Sequence, residues 1–327
     1  MKKIEWGHYF SWSILLIYAL IAILTQTNYL ANQWDTSLGR SYRAPCWSSD
    51  IDRLSTQEKN LVTPFTLDKI SPDDPLAPAL RQIASQAGST KSSTISASTL
   101  TTRCAFFGFD RWGRDILAKT LQGTRTSIIV GIGGSLLAIT LGTIMGALAG
   151  FYGGGKLDSY LNGIYNIFTS VPNLLLIMAI AALMQQRGLI PMVLILGLTG
   201  WTGVFRLLRA EYLKHRTRDY VIAATLLGAS PSRLIIKHIL PNTKHLIGVQ
   251  AAILTISFIK SEVILSFLGL GVGVEEVSWG TMLSEAQNEL LIGFPWQLIA
   301  ATLAMSCLSV ALSRLSDDYT DPYTITR

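Results

Sequence analysis

The sequence predicts an all-α membrane protein of about six transmembrane helices, and two observations carry that prediction. Of 327 residues, 49% are hydrophobic and only 15% charged, against roughly 25% charged in an average soluble domain. The apolar residues are also gathered into long blocks instead of alternating at period two or 3.6. A bilayer core takes about 20 mostly apolar residues to cross as a helix, and unpaired backbone amides are not tolerated in lipid, so each block is expected to be helical.

The first block, Phe10 to Thr25, follows Lys2 and Lys3. It is longer than a signal-peptide core, and Tyr29, Trp34 and Asp35 follow where a cleavage site would stand, so it reads as a retained first span. Later blocks run Thr126 to Phe151, Ile164 to Met184, Leu189 to Leu208, Leu246 to Leu270 and Gln297 to Ser313, with Pro172 kinking the third or marking its start. Eight Lys and Arg residues fall between Arg206 and Lys244 and none between Gly271 and Pro295. Basic residues in short loops favour the cytoplasm, so both termini are expected there.

This divides the chain into an N-terminus with the first helix (1–30), an extracytoplasmic insert (31–105), a five-helix core (106–313) and a cytoplasmic tail (314–327). Within the insert, Ser85 to Thr102 is dominated by Ser, Thr and Ala and reads as a flexible linker. Cys46 and Cys104 both lie outside on this reading. An oxidising compartment permits a disulfide between them, closing a loop of about 59 residues worth about 4 kcal/mol in the chain-entropy model; two free thiols are the alternative.

Enzymatic signals fail on inspection. Gly150-Phe-Tyr-Gly-Gly-Gly155-Lys156 has the spacing of a phosphate-binding loop, but Leu157 stands where a hydroxyl is needed for Mg²⁺, and an apolar block precedes it where a strand would. The four histidines are scattered, without metal-ligand spacing. The expectation is therefore no catalytic residue, no metal, no bound cofactor and no nucleic-acid partner. Gly142, Gly146 and Gly150, four residues apart, would let two helices approach closely, either inside this chain or against a partner.

The segment from Asp219 to Asn242 carries the most information. It reads as two short helices hinged at Gly228, with Ser230 as N-cap, Pro231 at the first helical position and Pro241 ending the second helix. Tyr220, Val221, Ala223, Ala224, Leu227, Gly228, Ala229, Ser230, Arg233, His238, Leu240, Pro241 and Asn242 resemble the "EAA" loop of the inner-membrane permeases of ATP-binding-cassette importers, the dipeptide/oligopeptide/nickel class, and within it the second, C-type permease. Ile222 stands where many members have Glu, and Lys237 replaces an Arg. Gly108-Phe-Asp110-Arg111-Trp-Gly113-Arg114-Asp115, Glu262 to Gly271, Ser278-Trp279-Gly280 and Pro295-Trp296 are similar to further motifs of that family, in its order. The usual ending is missing between Ser313 and Pro322.

The resemblance implies a permease heterodimer with a second permease chain, two ATPase subunits that carry ATP and Mg²⁺, and an extracytoplasmic solute-binding protein. Asp219, Tyr220, Ala223, Ala224, Gly228, Ala229, Ser230, Arg233 and Pro241 would form the loop that couples to an ATPase. Lys260 and Glu262 are ionisable residues inside a span, which ordinarily face a bundle interior, a path or a partner. Two residues apart, they do not share a helix face. Asp110, Arg111, Arg114 and Asp115 are either an outer dock or simple helix capping. A stand-alone secondary transporter or channel is the alternative; it should show an internal repeat and several buried carboxylates. A signalling or assembly protein with a sensory insert is a third.

Overall fold

The structure, a computed structural model, describes residues 2–27, 31, 34–39, 41–47, 105–273 and 276–320. The linker at Ser85 to Thr102, Cys104 and the last seven residues lie outside them. The regular elements among the described residues are all helical, with no strand. In order they form α1 (Lys2–Gln26), α2 (Ile116–Phe151), α3 (Lys156–Thr169), α4 (Asn173–Met184), α5 (Leu189–Thr199), α6 (Trp201–His215), α7 (Asp219–Leu226), α8 (Pro231–Arg233), a π-helical turn (Leu234–Ile239), α9 (Leu240–Phe267), α10 (Trp279–Leu291) and α11 (Trp296–Thr320).

Four stretches are long and apolar enough to cross a membrane: Ile116–Phe151, Leu189–His215, Pro231–Phe267 and Trp296–Asp317. A fifth qualifies only if α3 and α4, bent 84° at Ser170 to Pro172, form one broken span, and the apolar part of α1, Ser11–Gln26, is shorter. The six spans expected are therefore not reached by length and composition among the described residues. For the third block the reason is local: Pro172 has no amide to donate and disfavours helix at Val171, so the block folds as two helices.

Three boundaries differ from the sequence reading. Pro241 does not end a helix; it lies in the first turn of α9. The preceding turn loosens to π geometry, with the Leu240 amide bonding to the Ile235 carbonyl five residues back, and this accommodates a proline without a break. The loop Gly271 to Pro295 contains α10, begun by a reciprocal cap in which Ser278 Oγ accepts from the Thr281 amide and Thr281 Oγ1 from the Ser278 amide. Helix α11 runs on to Thr320, past the residue 314 at which a tail was expected to begin.

Two compact units result, Met1–Trp34 with Ala118–Arg327, and Asp35–Leu117. In the first, the glycine stripe of α2 packs on α6 inside the chain. A Cβ at Gly142 would lie 2.6 Å from Val204 Cβ, one at Gly146 2.8 Å from the Phe205 carbonyl oxygen, and one at Gly150 2.5 Å from Tyr212 Cβ. On α6, Phe205 stacks with Tyr165 of α3 at 5.3 Å, and Trp201 meets Phe168 edge-on at 5.4 Å. Farther along α2, Ser135 Oγ and Thr255 Oγ1 of α9 hydrogen-bond at 3.0 Å. Helix α1 attaches through the Tyr18 hydroxyl, which donates to the Ala304 carbonyl at 2.8 Å.

In the second unit the chain is strapped to itself. The amides of Leu38 and Gly39 donate to the Gly113 carbonyl, that of Tyr42 to Asp110, that of Cys46 to Ala105, and that of Phe109 to Arg43. Trp47 Nε1 donates to the Phe106 carbonyl at 2.7 Å. Cys46 is disulfide-bonded, whereas Cys307 is a free thiol.

Candidate functional site

The segment between α6 and α9 folds as an anchored elbow. Asp219 occupies the first turn of α7, where a carboxylate suits the helix dipole. The Tyr220 hydroxyl and His215 Nδ1 lie 2.8 Å apart, tying the start of α7 to the end of α6. Val221 and Ala224 turn inward and join Leu234 and Ile239, packing with Val204, Leu208 and Tyr212 of α6 and Ile139 and Ala147 of α2. The Tyr212 hydroxyl donates to the Ile235 carbonyl at 3.2 Å, pinning the π turn.

Gly228 sets the bend. Its φ is +84°, the left-handed region that side chains resist. Its amide donates to the Thr225 carbonyl and the Ala229 amide to the Ala224 carbonyl, each at 3.0 Å. Together these close α7 with the paired bonds of a Schellman motif. Ser230 then takes the N-cap position with Pro231 first in the helix, but its hydroxyl makes no capping bond and lies 3.4 Å from that of Ser232. Ala229 is half-buried against the anchoring cluster, while Ala223, Ser230, Arg233 and Pro241 are exposed.

The outward side of the elbow is apolar at its tip. Leu226 is 83% and Leu227 89% exposed, with Ile222 and Ile236 also open, and Arg218, Arg233 and Lys237 are exposed around them. Leucines held outward by a well-packed scaffold and rimmed by cations form a candidate interaction surface. The EAA-like motif locates this elbow, but it does not single out Leu226, which no matched position includes.

The glycine turn beside it is structural. Asp158 of α3 accepts from Arg209 Nε at 2.7 Å and a second guanidinium nitrogen at 2.8 Å, from the Gly154 amide at 3.0 Å and from Asn162 at 2.6 Å. Arg216 donates to the carbonyls of Phe151 and Gly153. The loop amide that a phosphate would need is thus held by the chain's own carboxylate, and two arginines that looked like topology signals are bonded inward. Asp158→Ala strands Arg209 and the Gly154 amide; breaking this partly buried pair is expected to cost about 2–3 kcal/mol, lowering the thermal midpoint in detergent by roughly 5–10 °C. Differential scanning fluorimetry checks it, and a midpoint unchanged from wild type would contradict the role.

Lys260 and Glu262 part company. Glu262 is fully buried, and its Oε1 accepts from Ser266 Oγ at 2.7 Å and Ser278 Oγ at 2.6 Å. That binds α9 to the N-cap of α10 within this chain, so Glu262 faces neither a path nor a partner, because its hydroxyl donors lie on both sides of an internal contact. Lys260 is exposed. Sequence reasoning missed a second polar anchor: Lys119 of α2, buried, pairs with Glu285 of α10. Gln297 of α11 bonds to the Met282 carbonyl at 2.9 Å and to Glu285 at 3.1 Å.

In the second unit the Asp110 group serves its own loop. Asp110 is buried and accepts from the amides of Trp112 and Arg114 and from Arg114 Nε at 2.8–2.9 Å. Asp115 Oδ1 accepts from the Leu117 amide, capping α2. Arg111 is exposed and lies 4.8 Å over the exposed Trp112 ring.

No group of three or more His, Cys, Asp or Glu suited to a metal occurs among the described residues. Membrane-length helices joined by an anchored elbow with an open apolar tip define the class of polytopic membrane proteins. The chain belongs to the family of binding-protein-dependent transport system inner membrane components, whose model matches residues 120–321. It is 37% identical over 193 residues to the oligopeptide transport system permease protein OppC of Bacillus subtilis (strain 168), covering 59% of this chain and 62% of that one. To the dipeptide transport system permease protein DppC of the same organism it is 35% identical over 216 residues, covering 66% and 67%. The chain thus spans about 62% of the length of the first of these relatives. Among solved structures it resembles a chain of the MetNI methionine ABC transporter in an inward-facing conformation, with a TM-score of 0.51 at 17% identity, covering 62% of this chain and 97% of that one; that likeness shows the fold.

Proposed function

We propose that this chain is a permease subunit of an ATP-binding-cassette importer that moves peptides or related small solutes across the inner membrane. It works with a second permease chain, two ATPase subunits that bind ATP and Mg²⁺ and supply all catalysis, and an extracytoplasmic solute-binding protein. The elbow and both termini lie in the cytoplasm. Leu226 and Leu227, open at the tip of the elbow, carry the reading: they enter a groove on an ATPase. Tyr220, Ala223, Ser230 and Arg233 flank that contact, whereas Ala224, Gly228 and Ala229 shape the elbow and Pro241 keeps it continuous with α9.

The unbroken stretch Pro231–Phe267 supports transmission. At 1.5 Å per residue it is roughly 55 Å long, and near its far end Glu262 grips the α10 N-cap. Closure of the ATPases would then move the elbow, α9 and α10 as one body. On the outer side, the loop that holds Asp110, Arg111, Arg114 and Asp115 forms the dock, with the Arg111 guanidinium and the Trp112 ring exposed on it.

Purification of the tagged chain in mild detergent, followed by mass spectrometry and an ATPase assay, tests the assembly. A second permease and two P-loop ATPases should accompany it. A lone, ATPase-free protein would return the secondary-transporter alternative. Cys46 and Cys104 are proposed as a disulfide pair. Both should resist maleimide in oxidised membranes and react only after reduction; labelling of either without reductant would refute the bond.

A further inference from the structure

Lys260 is the unexplained charge in the bundle. It lies on α9 seven residues before the helix ends at Phe267, roughly 10 Å below the outer end of the apolar stretch. It is exposed, and it makes no hydrogen bond or ion pair with any described residue. Its face of α9 carries Ile253 and Ser257 on one side and Ile264 and Phe267 on the other, all exposed.

A lysine held at that depth against lipid is costly. Its stem could carry the ammonium toward headgroups, but Ile264 and Phe267 stand above it on the same face. An unpaired ammonium donates three hydrogen bonds and accepts none, so the matching group is an anion. Ser257, one turn below and also open, continues the polar character of the face inward. A water-filled path needs this pattern, whereas a lipid-facing helix does not.

We infer that Lys260 lines the translocation path and engages the free carboxylate of the solute as it passes. The inference rests on the importer reading above. It assigns this chain a share of solute discrimination, in addition to whatever a binding protein selects. The same chemistry could be supplied by an acidic side chain of the second permease, and the test separates the two sources.

The complete transporter complex, reconstituted in proteoliposomes, is assayed with one labelled tripeptide and its C-terminal amide, each uptake rate normalised to wild type so that a binding protein's own preference cancels. Lys260→Met, which keeps length and removes charge, should slow the free-acid peptide about tenfold, a change typical of losing one charge-assisted hydrogen bond, and leave the amide within about twofold. Lys260→Arg should restore most of the rate. Equal losses for both peptides, or no loss, overturn the assignment. Loss of the second permease on co-purification of Lys260→Met also overturns it, placing the carboxylate on the partner chain. A wild-type complex that accumulates neither peptide removes the importer reading and this assignment together, whereas an active wild type with an indifferent variant removes this one alone.

Discussion

Gly146→Leu should leave almost no folded protein in the membrane. Helices α2 and α6 touch through their backbones along the glycine stripe, and a side chain at 146 would begin 2.8 Å from the Phe205 carbonyl oxygen and 3.0 Å from Leu208 Cβ. These are main-chain and first-carbon atoms, which cannot rotate away. Relief means separating the helices, and Gly142 and Gly150, with contacts of 2.6 and 2.5 Å, resist that over two further turns. Overpacking in a tolerant site costs about 1–3 kcal/mol; here it should exceed about 3 kcal/mol, and the monodisperse peak in fluorescence-detected size exclusion should fall by at least about tenfold. Gly163, where a Cβ would have nothing within 4 Å, supplies the matched control: Gly163→Leu should retain the wild-type peak. Equal behaviour of the two variants would mean that the stripe is not a contact.

The second large effect is functional. On the docking proposal, the double variant Leu226→Asp/Leu227→Asp should fold normally and lose the ATPase subunits. Both side chains are more than four-fifths exposed in the isolated chain, so removing them takes little from its own core. If the two leucines are the anchors of the docking surface, each is worth about 2 kcal/mol or more, so recovery of ATPase subunits should drop by about 100-fold or more, and solute-driven ATP hydrolysis with it. Val221→Asp makes the contrast. Val221 is 3% exposed, and a carboxylate there should unfold the elbow itself, seen as a lower thermal midpoint. Wild-type ATPase recovery by the double variant would end the docking proposal.

The helical class and the elbow were legible because their signals are local: long apolar blocks, a glycine at the one left-handed bend, and Pro231 at a helix start. The glycine spacing of α2 announced a close contact, but only the register of α6 decides that the contact is internal. Pro241 misled because a proline is read as a stop, and the π turn that absorbs it depends on Tyr212 pinning Ile235 from another helix. Helix α10 was hidden in a segment read as a loop between two apolar blocks, although Ser278 and Thr281 are the residues of its cap. Lys119 and Glu285 sit 166 positions apart, and nothing near either announces the other. Leu226 and Leu227 are indistinguishable in sequence from buried leucines; their exposure follows from Gly228 and Ala224 fixing which side of α7 meets the core.

The strap between residues 38–47 and 105–114 gives the chain a splice point. Where a segment leaves and returns through one bonded neck, its length is nearly free to drift, since each doubling of an excursion adds only about 0.6 kcal/mol of closure entropy. The backbone bonds of Tyr42, Cys46 and Phe109 hold the two ends of the segment together and meet that cost locally. A change in the number of residues between 47 and 105 is therefore expected to cost the fold little.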